Sequence, residues 1–184
     1  MKLPIFPLPI FLLPEGVTQL RIFEQRYLNM VKNCNETQGF VIKYQNQALG
    51  QHATWGSWVD IIDFNQDENG MLLITVKCKK LVNILDSFQN EELLQIGDVI
   101  EKPFWPQQEV GSEHELAVTL GRLFQNNQDL EYLYPEIVLD LSWLCARWLE
   151  ILPIKFKQKD QLIDPAGIDK TQTLITRILN NAIE

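Results

Sequence analysis

Catalysis would have to be assembled from the chain's hydroxyl, thiol, imidazole and amine side chains, and their spacing argues against it. A phosphate-gripping loop, Gly-x-x-x-x-Gly-Lys-[Ser/Thr], needs a lysine after its second glycine, because that ammonium and the loop amides cradle the phosphates. The nearest glycine pair, Gly50 and Gly56, is one residue too far apart and is followed by Ser57. A Ser–Lys dyad needs a lysine buried deeply enough to shed its proton. Ser57 and Ser112 fall at turn or cap positions, and Ser142 lies inside a helical stretch without a lysine near it in sequence. His52 and His114 have no metal-ligand spacing with each other or with Cys34, Cys78 and Cys145, and neither Cys-x-x-Cys nor His-Glu-x-x-His occurs. The expectation is no catalytic residue, no metal and no cofactor.

Residues suited to holding another molecule are easier to find. Trp55, Trp58, Phe104 and Trp105 fall near strand ends or in a proline-containing break, and Pro103 and Pro106 limit the freedom of the chain around Phe104 and Trp105. An exposed Trp105 would make the groove between the two halves of the chain a peptide site; a buried one would seal the halves together. Arg21, with Glu24 and Arg26, either docks an extended peptide or pairs locally with its neighbours and with backbone. Lys77, Lys79 and Lys80 are the one tight basic group. Without interleaved aromatics they read as a solvated strand face, not a nucleic-acid footprint. The net charge of −8 works in the same direction, since it repels a polyanion.

The elements that must position these residues follow from periodicity. With 46% hydrophobic and 22% charged residues over 184 positions, the chain has ordinary globular composition. Short extended runs at 3–6, 10–13, 39–44, 55–64, 71–78, 80–86 and 93–101 are rich in β-branched and aromatic residues, and Asn69-Gly70 marks a hairpin between 55–64 and 71–78. One helix interrupts them, with Phe23, Tyr27, Met30, Val31 and Cys34 on a single face. After the break at 102–111 the period becomes helical. Ser112 and Glu115 form a capping box, a second helix starts near Pro135, a short one covers 157–163, and the last runs from Asp164-Pro165 to the end. The expected fold class is α+β: about six strands curling into a barrel with one helix, residues 1–104, followed by a helical bundle, residues 105–184. The prolines at positions 4, 7, 9 and 14 break up the apolar start, so it does not read as a signal peptide, and no apolar run is long enough to span a membrane. Three widely spaced cysteines suit a reducing compartment, and the expected location is the cytoplasm.

Three stretches carry a family resemblance: Leu3-Pro4-Ile5-Phe6-Pro7-Leu8-Pro9, Leu13-Pro14-Glu15-Gly16, and Leu20-Arg21-Ile22-Phe23-Glu24-Gln25-Arg26-Tyr27-Leu28-Asn29-Met30-Val31. Together they closely resemble the start of the substrate-binding N-terminal domain of Lon proteases. Ser142 to Pro153 resembles the same family's helix ending in Leu-Pro, and the central Val76-Lys77-Cys78-Lys79-Lys80-Leu81 departs from its pattern. The resemblance implies a PUA-like barrel followed by a helical bundle, standing free of motor and peptidase. It also implies a non-catalytic module for unfolded polypeptide or a dedicated protein partner, or an adaptor surface in proteolysis. Because PUA-like barrels include RNA binders, RNA binding is the alternative function. The candidate peptide-binding residues are Trp55, Trp58, Phe104, Trp105 and Arg21; oligomeric state is left open.

Overall fold

The computed structural model describes residues 1–34 and 38–181. The chain divides into two compact units, Met1–Lys102 and Pro103–Glu184. The first is built on β1 (Lys2–Leu8), β2 (Val17–Ile22), α1 (Gln25–Asn33), β3 (Phe40–Asn46), β4 (Gln51–His52), β5 (Trp55–Gln66), β6 (Leu72–Gln89) and β7 (Gln95–Lys102).

Strand pairing in this unit runs β1-β7-β6-β5-β3 and returns to β1, so five strands close on themselves. The returning β1–β3 contact is parallel and the others are antiparallel. Closure removes the two open edges a flat sheet would leave. The ring is filled by residues that alternate along each strand: Leu3 and Ile5 from β1, Val41 from β3, Val82 from β6 and Val99 from β7. Gly97 sits between two such positions because a Cβ there would collide with the Ile5 side chain. β2 lies against the first half of β6 and β7 against the second, so β6 is the strand shared by nearly everything.

Several local expectations are corrected. β6 is one continuous strand where a break was expected at Lys79. The β5–β6 register shifts at Lys79, which is skipped between Cys78 and Lys80, and the strand runs on through this bulge with Asp60 and Glu101 neutralising Lys79 and Lys80 at 2.7 and 2.8 Å. Residues 10–13 are not a strand, whereas Val17–Ile22 is, with Leu20 and Ile22 inward and Arg21 outward. Phe23 is not on the α1 face: the helix begins only at Gln25, and Phe23 is exposed.

The second unit holds α2 (Glu115–Gln125), α3 (Gln128–Leu133), α4 (Leu141–Ile151), α5 (Phe156–Leu162) and α6 (Ile168–Asn181). The cap of α2 is His114, whose Nδ1 accepts from the Leu116 amide at 3.3 Å, not the expected Ser112–Glu115 box. α3 was not foreseen; Asn127 starts it by accepting from the Asp129 and Leu130 amides. α4 starts at Leu141, not near Pro135, because the Asp140 carboxylate caps the Trp143 amide at 2.8 Å and accepts from the Gln108 amide at 2.6 Å. Residues 141–149 are all buried, which makes α4 the central helix of its unit. Its Arg147 is fully enclosed. The guanidinium is forked onto Glu150 by two 2.7 Å bonds and lies 5.5–5.6 Å from the Trp143 and Tyr134 rings. The last three residues of the chain, where the final helix was expected to continue, lie outside the described residues.

Candidate functional site

Within the sheet unit, Trp55, Trp58 and Arg21 are not brought together. Trp55 is buried in the sheet unit, edge-on to Phe11 at 5.7 Å. Trp58 is three positions along the same strand, on the other face. Its indole N–H donates to the Gln38 carbonyl at 2.6 Å, and the Lys79 ammonium lies over its ring at 4.1 Å. Arg21 is exposed and pairs with Asp67 at 3.4 Å near the β5–β6 turn. Phe104 and Trp105 belong to the helical unit and stack at 4.5 Å. Trp105 is buried, with its N–H donating to the Leu162 and Asp164 carbonyls. Its apolar area is already spent on its own unit. Arg26 pairs with Glu24 at 2.7 Å and donates to the Leu93 carbonyl, the local pairing weighed for that cluster.

Burial shifts the ionisable groups that covalent chemistry would need, in opposite directions for thiol and amine. Burial pushes the Cys34 thiol up to about 11; burial and then the nearby Asp140 carboxylate push Cys145 up to about 12. Neither is a thiolate at neutral pH. Lys159 is buried, and desolvation lowers its pKa against the raising pull of Glu150; its ammonium donates to the Glu150 carbonyl at 3.1 Å. Two serine hydroxyls are engaged elsewhere: Ser57 donates to the Leu12 carbonyl, and Ser87 accepts from Gln95.

The surface best suited to holding a partner is the outer face of β1, β7 and β6. Inward residues Leu3, Ile5, Gly97 and Val99 alternate with outward ones, so Lys2 and Pro4 on β1 stand beside Asp98 and Ile96 on β7. These in turn stand beside Asp86 and Phe88 on β6, and Ile100 faces Asn83. The apolar side chains around this face are poorly covered: Met1 56% exposed, Leu85 63%, Phe88 52%, Leu93 61% and Ile100 49%. Scattered exposed apolar residues are ordinary, but several on adjoining strands make this face a candidate binding surface.

Two further features belong to the same place. β5 pairs with β6 only as far as Asn83, and the register jumps at Leu85, so no strand among the described residues pairs with the far side of Leu85–Gln89. On that side the Ser87 amide donates to Asp86 Oδ1 at 2.8 Å, and the rest of the edge has no strand partner; an unpaired strand edge is a template for another extended chain. Leu93, in the β6–β7 turn, has φ of 60°, a left-handed conformation rare for a branched side chain and costing about 1 kcal/mol. The turn keeps a large apolar side chain in water at a strained position.

The sequence reading missed this surface for two reasons. It sought aromatic clusters, and four of the five residues here are aliphatic or sulfur-containing. It also noted strand 93–101 for its branched residues alone and did not weigh its two faces separately. The available signal was that Ile96 and Ile100 alternate with Gly97 and Val99, giving apolar residues on both faces of one strand.

Among solved structures, the Lon N-terminal domain protein from Xanthomonas campestris is similar at 26% identity, covering 96% of this chain and 98% of that one, with a TM-score of 0.69. The N-terminal domain of the Mycobacterium avium complex Lon protease is similar in fold at 13% identity, covering 95% and 96%, with a TM-score of 0.65. A comparison with curated proteins found no match. The family model for the substrate-binding domain of ATP-dependent protease La (LON) matches residues 2–181. With nearly its whole length matched, the chain belongs to the Lon substrate-binding domain family.

Proposed function

We propose that the chain is a non-catalytic module that holds extended polypeptide on the outer face of β1, β7 and β6, with the client adding to the free edge of β6. Membership in a substrate-binding family supports the general role. The observation that carries the location is the coincidence of a strand edge without a strand partner, Leu85–Gln89, with the exposed side chains of Leu85, Phe88, Leu93 and Ile100. Edge backbone groups would supply sequence-tolerant hydrogen bonds, and the apolar side chains would supply the burial that favours unfolded over folded clients. RNA binding lacks comparable support. Lys77, Lys79 and Lys80 are matched by Glu15, Asp60 and Glu101 at 2.5, 2.7 and 2.8 Å, leaving no basic excess there.

The test is fluorescence anisotropy with a labelled, unstructured apolar peptide and with a single-stranded RNA of mixed sequence. Peptide binding that is lost in Leu85→Ser/Phe88→Ser supports the reading. RNA binding with no peptide binding overturns it.

A further inference from the structure

The same face has a charge pattern that selects among extended peptides, and this inference rests on the polypeptide-binding reading. Asp86 on β6 and Asp98 on β7 are directly opposed in register, so two carboxylates project side by side from one face. Like charges so placed repel. Between Ile84 and Glu101 the chain carries Asp86, Glu91, Glu92, Asp98 and Glu101, and no lysine or arginine. Glu101 is paired with Lys80. Asp86, Glu91, Glu92 and Asp98 make no salt bridge among the described residues.

Nearby cations leave this charge unmatched. Lys2 stands beside Asp98 in register, but its ammonium lies over the Phe88 ring, 5.5 Å from the centroid. The N-terminal ammonium donates to the Val99 carbonyl at 3.1 Å. The unmatched carboxylates are set among apolar side chains: Phe88 and Ile96 two positions along on the same face, with Ile100 and Leu85 on the other side. A client covering this face with apolar or acidic residues would desolvate two carboxylates and give them no partner.

We infer that the favoured occupant of the β6 edge is an extended apolar segment bearing a lysine or arginine that lies between Asp86 and Asp98. A long basic side chain fits both parts of this environment, since its methylenes pack on Phe88 and Leu85 while its charged end meets the carboxylates. Acidic segments are rejected by the same pair.

The experiment uses the full chain and three labelled eight-residue peptides of identical alternating apolar sequence, differing only in a central Lys, Gln or Glu. In low salt the Lys peptide is expected to bind about three- to tenfold tighter than the Gln peptide, and the Glu peptide weaker by a similar factor. The ranking should shrink as salt rises. In Asp86→Asn/Asp98→Asn the three peptides should converge on the affinity of the Gln peptide. Both aspartates repel each other in the free protein, so this variant should fold, and a thermal melt verifies that it does. Equal binding of all three peptides to the unaltered chain, with loss in Leu85→Ser/Phe88→Ser, overturns the charge selection and leaves the polypeptide-binding reading standing. Absence of binding by any of the three, or binding indifferent to Leu85→Ser/Phe88→Ser, overturns both.

Discussion

The two hairpins that share β6 are closed by the same turn, built twice. In residues 67–71, the Asp67 amide donates to the Met71 carbonyl and the Gly70 amide to the Asp67 carbonyl, while Asp67 Oδ1 accepts from the Asn69 and Met71 amides. In residues 90–94, the Asn90 amide donates to the Leu94 carbonyl and the Leu93 amide to the Asn90 carbonyl, while Asn90 Oδ1 accepts from the Glu92 and Leu94 amides. All eight bonds lie between 2.9 and 3.0 Å. The fourth residue of each turn is left-handed, at φ of 75° and 60°, and is Gly70 in one and Leu93 in the other. The same backbone problem therefore has two solutions. Glycine meets it without steric cost, and a leucine there needs a reason outside the backbone. Under the proposed polypeptide-binding role, that reason is the apolar surface of the second hairpin, which also exposes Leu85 and Phe88.

The first hairpin also has exposed apolar residues, Ile62 and Phe64, yet its edge is blunted. The Phe64 amide bonds to Asp63 Oδ1 at 2.9 Å and the Gln66 amide to Asn65 Oδ1 at 2.8 Å, so two edge donors are occupied by the preceding side chains, against one on the second hairpin, where the Ser87 amide bonds to Asp86 Oδ1 at 2.8 Å. An incoming strand would have to displace them. The largest effect expected is thus a difference between hairpins. Leu85→Ser/Phe88→Ser should weaken binding of an extended apolar peptide tenfold or more, about 1.4 kcal/mol or above, with little change in the melt. Ile62→Ser/Phe64→Ser should leave binding within about twofold. Equal losses from the two pairs would dissolve the distinction between the edges.

Next in size are the turn side chains themselves. Asn90→Ala and Asp67→Ala each remove an oxygen that holds two amides, and each should lower stability by about 1–2 kcal/mol in urea unfolding. Asp67→Ala should cost slightly more, because it also releases Arg21. Indifference of stability to both substitutions would mean that the turns are set by their backbone bonds alone.

The contrast between hairpins also explains what could be read in advance. Asn69-Gly70 announced the first turn, because glycine after asparagine is a strong signal for positive φ. Glu91-Glu92-Leu93-Leu94 announced nothing, since glutamate and leucine are helix formers and the strain falls on an unmarked residue. Strands 55–64 and 93–101 were legible from branched and aromatic content. The continuity of β6 was not, because Lys79-Lys80 resembles an interruption until Asp60 and Glu101 are brought alongside from other strands. Family membership was visible in residues 3–31, where short motifs keep their spacing. The candidate site was not visible, because tryptophan attracts notice in a sequence. Here Trp55 and Trp105 are consumed by packing and indole hydrogen bonds.

Exchanging the two left-handed residues gives a smaller but sharper comparison. Gly70→Leu should destabilise the chain by about 1 kcal/mol, since nothing lies within 4 Å of the added Cβ and the cost is conformational alone. Leu93→Gly should stabilise it by about 0.5–1 kcal/mol through relief of the same strain, while weakening peptide binding severalfold. Stability and binding moving in opposite directions at one position is the signature of a residue kept for function. A Leu93→Gly variant that loses stability would instead show that the side chain packs against its own unit.

The smallest effect expected is electrostatic. Asp86→Asn alone removes one member of the opposed Asp86–Asp98 pair. In the free protein it should raise stability by about 0.2–0.5 kcal/mol in low salt, because directly opposed like charges on adjacent strands repel. The Asp86 carboxylate also accepts from the Ser87 amide at 2.8 Å, a bond that an asparagine side-chain oxygen can keep. The gain should therefore be electrostatic in origin and fade as salt rises towards ~0.5 M, where screening shortens the reach of exposed charges. Asp63→Asn on the first hairpin, which likewise keeps an acceptor for the Phe64 amide, has no carboxylate opposite it: its register partner is Thr75. It should show no salt-dependent gain. A matching gain at both positions would trace the effect to the net charge of the chain and not to the facing pair.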